Sequence, residues 1–249
     1  MRICAAQTKP FKGDIAGNVE THLKLIELAV AERVEAIFFP ELSITGYEPE
    51  LAARLATDAA DPRFDVFQAI ADRERIAIGI GAPTRVRDGV AISTILFQPN
   101  RARQTYSKKH LHASETGFFA SGRNHAVVMD GAPAVALAIC YELSVPEHAE
   151  EAFRQGAKIY AASVVESVGG VEKAAARLAS IAARYRMTVL MANCVGHTGI
   201  YDGGGKSSVW NERGTLAGEL DAAHEGIVVY DTVSGAARAK TVQTARASI

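Results

Sequence analysis

Three residue types that together can break an amide bond stand at three strand ends in this chain. Cys140 closes the apolar run 135–139 and is followed by Glu142, Ser144 and Pro146-Glu147, where a proline and an acid suit the first turn of a helix. A cysteine at such a junction faces backbone N–H groups that are not yet paired, which can lower a thiol's pKa and donate to an oxyanion. Phe38-Phe39-Pro40-Glu41 sets a carboxylate just beyond a second apolar run, and Tyr106-Ser107-Lys108 sets a lysine at the end of a third. Hydrolysis of an amide through a thiol needs the sulfur, a group that takes and returns a proton, and a cation or N–H for the oxyanion. Cys140, Glu41 and Lys108 can fill those roles, with the backbone N–H of Tyr141 completing the oxyanion hole. A free thiol titrates at about pH 8.5, so a base and a cation beside it are needed for attack at neutral pH. Taken singly, each residue has a plainer reading: a core cysteine, a solvated loop carboxylate and a surface lysine.

The elements that would position these groups follow from the hydrophobic pattern. Arg2 to Gln7 reads as a strand, and Asn18 as the N-cap of a helix with apolar residues at Val19, Leu23, Ile26, Val30 and Val34. Strand Ala36 to Phe39 delivers Glu41 at its carboxyl end, where ligands bind in open α/β sheets. A helix from Asp61-Pro62 to about Arg75, a strand Ile76 to Ala82 and a hairpin around Pro99-Asn100 lead to Lys108. Residues 112–124 are polar and glycine-punctuated, a loop by composition, and Ala126 to Met129 and Ala134 to Ile139 flank a turn at Asp130-Gly131. After Cys140 the pattern gives a helix from Pro146, a strand Ile159 to Ser163, an alanine-rich helix from Val171 to Arg186 and a strand Thr188 to Asn193. Gly199 to Lys206 reads as a glycine-rich loop, and Ile227 to Tyr230 as the last strand. Alternating strands and helices argue for an α/β layer structure, and the hairpins for mixed sheets.

Three stretches then carry a resemblance: PELSITGY (Pro40 to Tyr47), YSKKHL (Tyr106 to Leu111) and CYELSVPE (Cys140 to Glu147). In order and separation they resemble the glutamate, lysine and cysteine motifs of the nitrilase superfamily of carbon–nitrogen hydrolases, and the likeness spans nearly the full chain. The resemblance implies an α/β fold of four layers, an αββα sandwich with mixed sheets, formed by residues 1–249 as a single domain. It also implies a homodimer or higher homo-oligomer, and hydrolysis of a small amide or N-carbamoyl compound through a Cys140 thioester with release of ammonia and no cofactor. Nitrile hydrolysis or acyl transfer through the same thioester, and a non-catalytic binding protein on this scaffold, stay open as alternatives. It suggests Glu115 as an assisting second glutamate, and it selects Lys108 over Lys109, which falls at the variable position of the motif. Val145 replaces the family's usual aromatic, and Ser163-Val164 stands where relatives carry asparagine or an aromatic, so the substrate is left open. The CYE context resembles the amidase and carbamoylase branches. Loops around Tyr47, Glu115, 164–170 and 197–206 are expected to line the pocket, with Tyr47, Val164, Val165 and His197 as substrate contacts.

Composition narrows the remaining classes. Apolar residues are 48% and charged ones 22% of 249, enough for a large core, and a formal charge of -1 gives no reason to expect nucleic acid or an anionic membrane as partner. Three cysteines do not form a disulfide framework, and no apolar run reaches membrane-spanning length, which together read as a cytoplasmic protein. His110 and His112 form a His-x-His pair, yet no acid or cysteine stands at a metal-ligand spacing, so no metal is expected and His110 is read as structural. Cys4 and Cys194 are read as core, and Glu142 as a structural partner for nearby cations.

Overall fold

Alternation along β1 (Arg2–Gln7) sends Ile3 and Ala5 into one buried cluster and Cys4 and Ala6 into another, as a period of two requires. The computed structural model describes residues 1–123, 127–129 and 133–242, with the side chains of Val127 and Val128 left aside. After β1 come α1 (Ile15–Ala31), β2 (Ala36–Phe38), the short α2 (Ala52–Leu55), α3 (Asp65–Glu74), β3 (Ala77–Val86), β4 (Gly89–Phe97) and β5 (Gln104–Ser107). The chain continues through β6 (Val127–Met129), β7 (Val135–Ile139), α4 (Pro146–Arg154), β8 (Ile159–Ser163), α5 (Val171–Tyr185) and β9 (Thr188–Ala192). It ends with β10 (Val195–Thr198), β11 (Tyr201–Gly204), β12 (Ser208–Trp210), β13 (Leu216–Glu219), β14 (Gly226–Asp231) and β15 (Ala237–Thr241).

These strands form a seven-stranded sheet, β15-β14-β1-β2-β3-β4-β5, a six-stranded sheet, β13-β12-β9-β8-β7-β6, and the β10-β11 hairpin. Each large sheet has a parallel centre, β1 to β3 in one and β7 to β9 in the other, with antiparallel strands on its flanks. Ile3, Ala5 and Phe38 of the first sheet share a cluster with Leu137, Ile139, Ala161 and Leu190 of the second, so the two sheets pack face to face. The outer face of the first meets Leu25, Ile26 and Ala29 of α1 and Phe67 and Ala71 of α3. The outer face of the second meets Ala149 and Ala152 of α4 and Ala174, Leu178 and Ala182 of α5. The architecture is therefore a four-layer αββα sandwich, in which each buried Leu, Ile or Phe side chain contributes about 1.5–3 kcal/mol. The carboxyl ends of β2, β5 and β7 hand over to Glu41, Lys108 and Cys140.

Several expectations are corrected. Asp14, not Asn18, caps α1: its carboxylate accepts from Gly17 N at 3.0 Å, while Asn18 lies inside the helix. Asn18 is buried because its amide bridges Phe11 O and Ile44 O, at 2.8 and 2.9 Å. The glycine-rich stretch after Cys194 folds largely as the β10-β11 hairpin, and β15 is a further edge strand beyond the one read as last. The turn expected at Asp130-Gly131 lies outside the described residues. Among the described residues no helix is long and apolar enough to cross a membrane.

Candidate active site

Glu41 is placed by a turn laid directly on β3. Phe39 N donates to Gly79 O at 2.9 Å and Ile44 N to Gly81 O at 3.0 Å, and Leu42 adopts a left-handed φ of 50°. A Cβ at Gly81 would lie 2.2 Å from Pro40 O, so only glycine lets the turn approach this closely. From α1, His22 Nε2 contacts Ser43 Oγ at 2.9 Å and Asn18 holds Ile44, bracing the same loop from the helix side.

Lys108 follows β5, its N–H donating to Ile92 O at 2.8 Å, and its side chain is completely buried. Nζ donates to Glu41 Oε1 at 2.8 Å and to Glu115 Oε1 at 2.7 Å. Glu115, at the end of a 3-10 turn (Ala113–Glu115), also accepts from Tyr47 Oη at 3.0 Å and, through Oε2, from His112 N at 2.7 Å. Both of its oxygens are therefore occupied. Glu41 Oε2, by contrast, is buried with no hydrogen bond of ordinary geometry, while the Cys140 thiol lies against this carboxylate as a weak donor. Lys109 points elsewhere, to a partly exposed ion pair with Glu151 at 3.1 Å.

Cys140 opens a 3-10 turn (Cys140–Ser144) with φ of 45°, a strained conformation for a non-glycine residue that costs about 1–3 kcal/mol. Glu142 holds that turn in place. Its Oε2 accepts from Ile139 N at 2.8 Å and Tyr106 Oη at 2.8 Å, and its Oε1 accepts from Lys109 N at 2.7 Å and His110 N at 3.3 Å. Glu142 is thus structural as expected, but its main partners are backbone N–H groups and a phenol rather than cationic side chains. His148 completes the network, with Nε2 2.8 Å from Tyr106 Oη and Nδ1 2.8 Å from Tyr160 Oη. His110 packs edge-on against His148 at 6.2 Å, and His112 against Tyr141 at 5.4 Å.

Burial dominates the electrostatics. It pushes the Glu41 carboxyl up to about 7, against the Lys108 charge, which pulls it down, and with Glu115, which adds to the rise. For Lys108 burial acts downward, but Glu41, Cys140 and Glu115 outweigh it, and the ammonium is held well above its ordinary value. Burial and then Glu41 hold the Cys140 thiol well above the usual cysteine range, although Lys108 and the N–H of Val165 act the other way. The junction expected to favour a thiolate therefore keeps a thiol, because desolvation first, and then the charges of Glu41 and Glu166, oppose a negative sulfur. A proton must leave the sulfur as it attacks, and Glu41, poised near neutrality with a free oxygen, is the group placed to accept it.

Cys140 opens onto a cavity of about 290 Å³ whose walls include Tyr47, Tyr141, Val165, Glu166, Arg177 and Tyr201. Val164 and His197 stand apart from it. Alternation at the end of β8 sends Val164 into the helix-side cluster and Val165 toward the cavity. On β10, Thr198 turns inward to accept from Tyr47 N at 2.7 Å, while His197 faces solvent beside Asp202 at 3.1 Å. Glu166, Arg177 and Tyr201 lie outside the three motif stretches. Glu166 and Tyr201 fall in stretches expected to line the pocket, whereas Arg177 lies mid-helix, where nothing local signals it.

A carbon-nitrogen hydrolase family model matches residues 2–241. Over 164 residues the chain is 27% identical to an (R)-stereoselective amidase from Pseudomonas sp; the match covers 64% of this chain and spans only 58% of that protein's length. Among solved structures, the NitN amidase from Nesterenkonia sp. AN1 superposes with a TM-score of 0.82 at 24% identity, covering 93% of this chain and 92% of that one. A mutant of the same amidase in complex with butyramide gives 0.81 at 24%, covering 92% and 89%. Those likenesses speak to the fold, and the family match runs through every segment that carries Glu41, Lys108, Glu115 and Cys140: the chain belongs to the carbon-nitrogen hydrolase family.

Proposed function

We propose that the protein hydrolyses a small non-peptide amide or N-carbamoyl compound through a Cys140 thioester. One observation carries this reading: in the buried carboxylate–lysine cluster the only carboxylate oxygen without a hydrogen bond is Glu41 Oε2, and Cys140 lies against that carboxylate. As Cys140 Sγ attacks the amide carbon, its proton passes to Glu41 and the carbonyl electrons move to oxygen. Two of the three ammonium N–H groups of Lys108 are held by Glu41 and Glu115, which leaves the third, with the N–H of Tyr141, for the oxyanion. Collapse expels ammonia, which takes its proton from Glu41, and leaves the acyl thioester. Water then gives a proton to Glu41 and attacks the thioester, and the proton returns to sulfur as the acid leaves. The sum is amide and water to acid and ammonia. Glu115, saturated by Lys108, Tyr47 and His112, positions the lysine and does not exchange protons.

A cavity of about 290 Å³ suits a small molecule at the reacting end. The test is ammonia release from a panel of small amides and N-carbamoyl compounds, with mass spectrometry of the enzyme during turnover. An acyl adduct on Cys140, absent in Cys140→Ala along with ammonia release, is the expected outcome. Turnover that survives in Cys140→Ala would remove the thioester from the reaction.

A further inference from the structure

The cavity wall carries two opposite charges that the hydrolytic steps do not use. Glu166 follows β8, its backbone fixed by Asn193: Glu166 N donates to Asn193 Oδ1 at 2.9 Å, and Glu166 O accepts from Asn193 Nδ2 at 3.1 Å and Gly204 N at 2.8 Å. Its side chain turns over Gly170, where a Cβ would come within 2.5 Å of Oε2. Arg177 reaches the same cavity from α5. Among the described residues neither charged group makes a hydrogen bond or an ion pair with a protein side chain. Both line one cavity, and Arg177 is the strongest in effect of the cations that oppose the rise that burial imposes on the Glu166 pKa.

A neutral ligand in this cavity would displace water from both charges and pair neither, which is costly in a partly buried site. A ligand carrying both signs would satisfy both. We propose that Glu166 and Arg177 form a recognition pair for an amide whose acyl part bears an ammonium and a carboxylate, the side-chain amide of an acidic amino acid. Arg177 takes the carboxylate with its planar fork, and Glu166 takes the ammonium. The proposal rests on the amide reading of the site for its reacting end, and on the pair alone for its charged end.

Four ligands isolate the two charges: L-glutamine carries both, glutaramate only the carboxylate, 4-aminobutanamide only the ammonium, and butyramide neither. Calorimetric binding to Cys140→Ala reads them without turnover. Each charge-assisted pair is worth about ten- to a hundredfold in affinity, so L-glutamine is expected to bind at least about a hundredfold tighter than butyramide. In the same background Arg177→Gln should remove the advantage of the carboxylate and keep that of the ammonium, and Glu166→Gln should do the reverse. Equal binding of all four ligands, or an advantage untouched by its matching substitution, would overturn the pair. If Arg177→Gln does not fold, Arg177→Lys, which keeps the charge and loses the fork, and Glu166→Gln carry the same test. Ammonia release by the unmodified enzyme separates the two readings. Turnover of butyramide with no preference for L-glutamine defeats the pair and leaves amide hydrolysis standing, whereas the binding pattern without ammonia from any amide defeats hydrolysis and leaves the pair.

Discussion

The position of Glu41 makes a quantitative claim about pH. The base form must carry the reaction, and burial holds that carboxyl at about 7 rather than near the 4.5 of an ordinary glutamate. A raised acid is protonated first as pH falls, so activity is present above about 7 and lost below it. At pH 5.5 a group with a pKa of about 7 is about 3% ionised, whereas one at 4.5 is about 90% ionised, a difference of about thirtyfold in kcat/KM. The assay is kcat/KM for one amide from pH 5 to pH 9, since that ratio reports the free enzyme. The acid limb should have unit slope and a midpoint near 7. Replacing Glu115 by Gln removes a negative neighbour, so the midpoint should move to lower pH even as Lys108 loses part of its support. A limb centred below pH 5 in the unmodified enzyme, or a midpoint that rises in Glu115→Gln, would refute the assignment of Glu41 as the proton acceptor.

Three further outcomes follow from named contacts. Lys108→Ala should cost about 3–4 kcal/mol of transition-state stabilisation, two to three powers of ten in rate, while Lys109→Ala, which loses only a partly exposed pair with Glu151, should change kcat/KM less than about threefold; the reverse ranking would mean that Lys109 serves the site. Gly81→Ala would force its Cβ against Pro40 O, so its denaturant midpoint and its activity should fall together, and an unchanged midpoint would contradict the close approach. Iodoacetamide should label Cys140, which opens onto the cavity beside its proton acceptor Glu41, before Cys4 and Cys194, which are buried in the core, as peptide mapping of a partially alkylated sample can check.

The parts of the fold legible in the sequence are those where composition and geometry coincide. Arg2 to Gln7 and Ile159 to Ser163 are apolar because both faces are covered, and the structure returns them with the same bounds. Asn18, a polar residue ahead of an apolar stripe, has the look of a cap in sequence alone; its reason for being there is Ile44 O, 26 residues away. The edge strand β15, sequence Ala-Arg-Ala-Lys-Thr, is exposed at all but Ala237 and so has no apolar signature. In the site, the motifs pointed to Glu41, Lys108 and Cys140 and the family resemblance to Glu115, and the structure brings all four together. It could not give the raised thiol pKa or the place of Arg177, because both depend on which groups meet across the cavity, and no local pattern encodes that.

Glu142 has a consequence that reaches beyond the site. One carboxylate fastens the cysteine turn, from the six-stranded sheet, to Tyr106 and the N–H groups of Lys109 and His110, at the end of the seven-stranded one. The nucleophile and its lysine therefore come from different sheets and are tied through this carboxylate, and their alignment exists only while the two sheets are docked. Turnover becomes a reporter of docking. On denaturation it should disappear in step with the sheet-to-sheet contacts and never outlast them, and on refolding it should be the last property to return, after the helical signal has recovered.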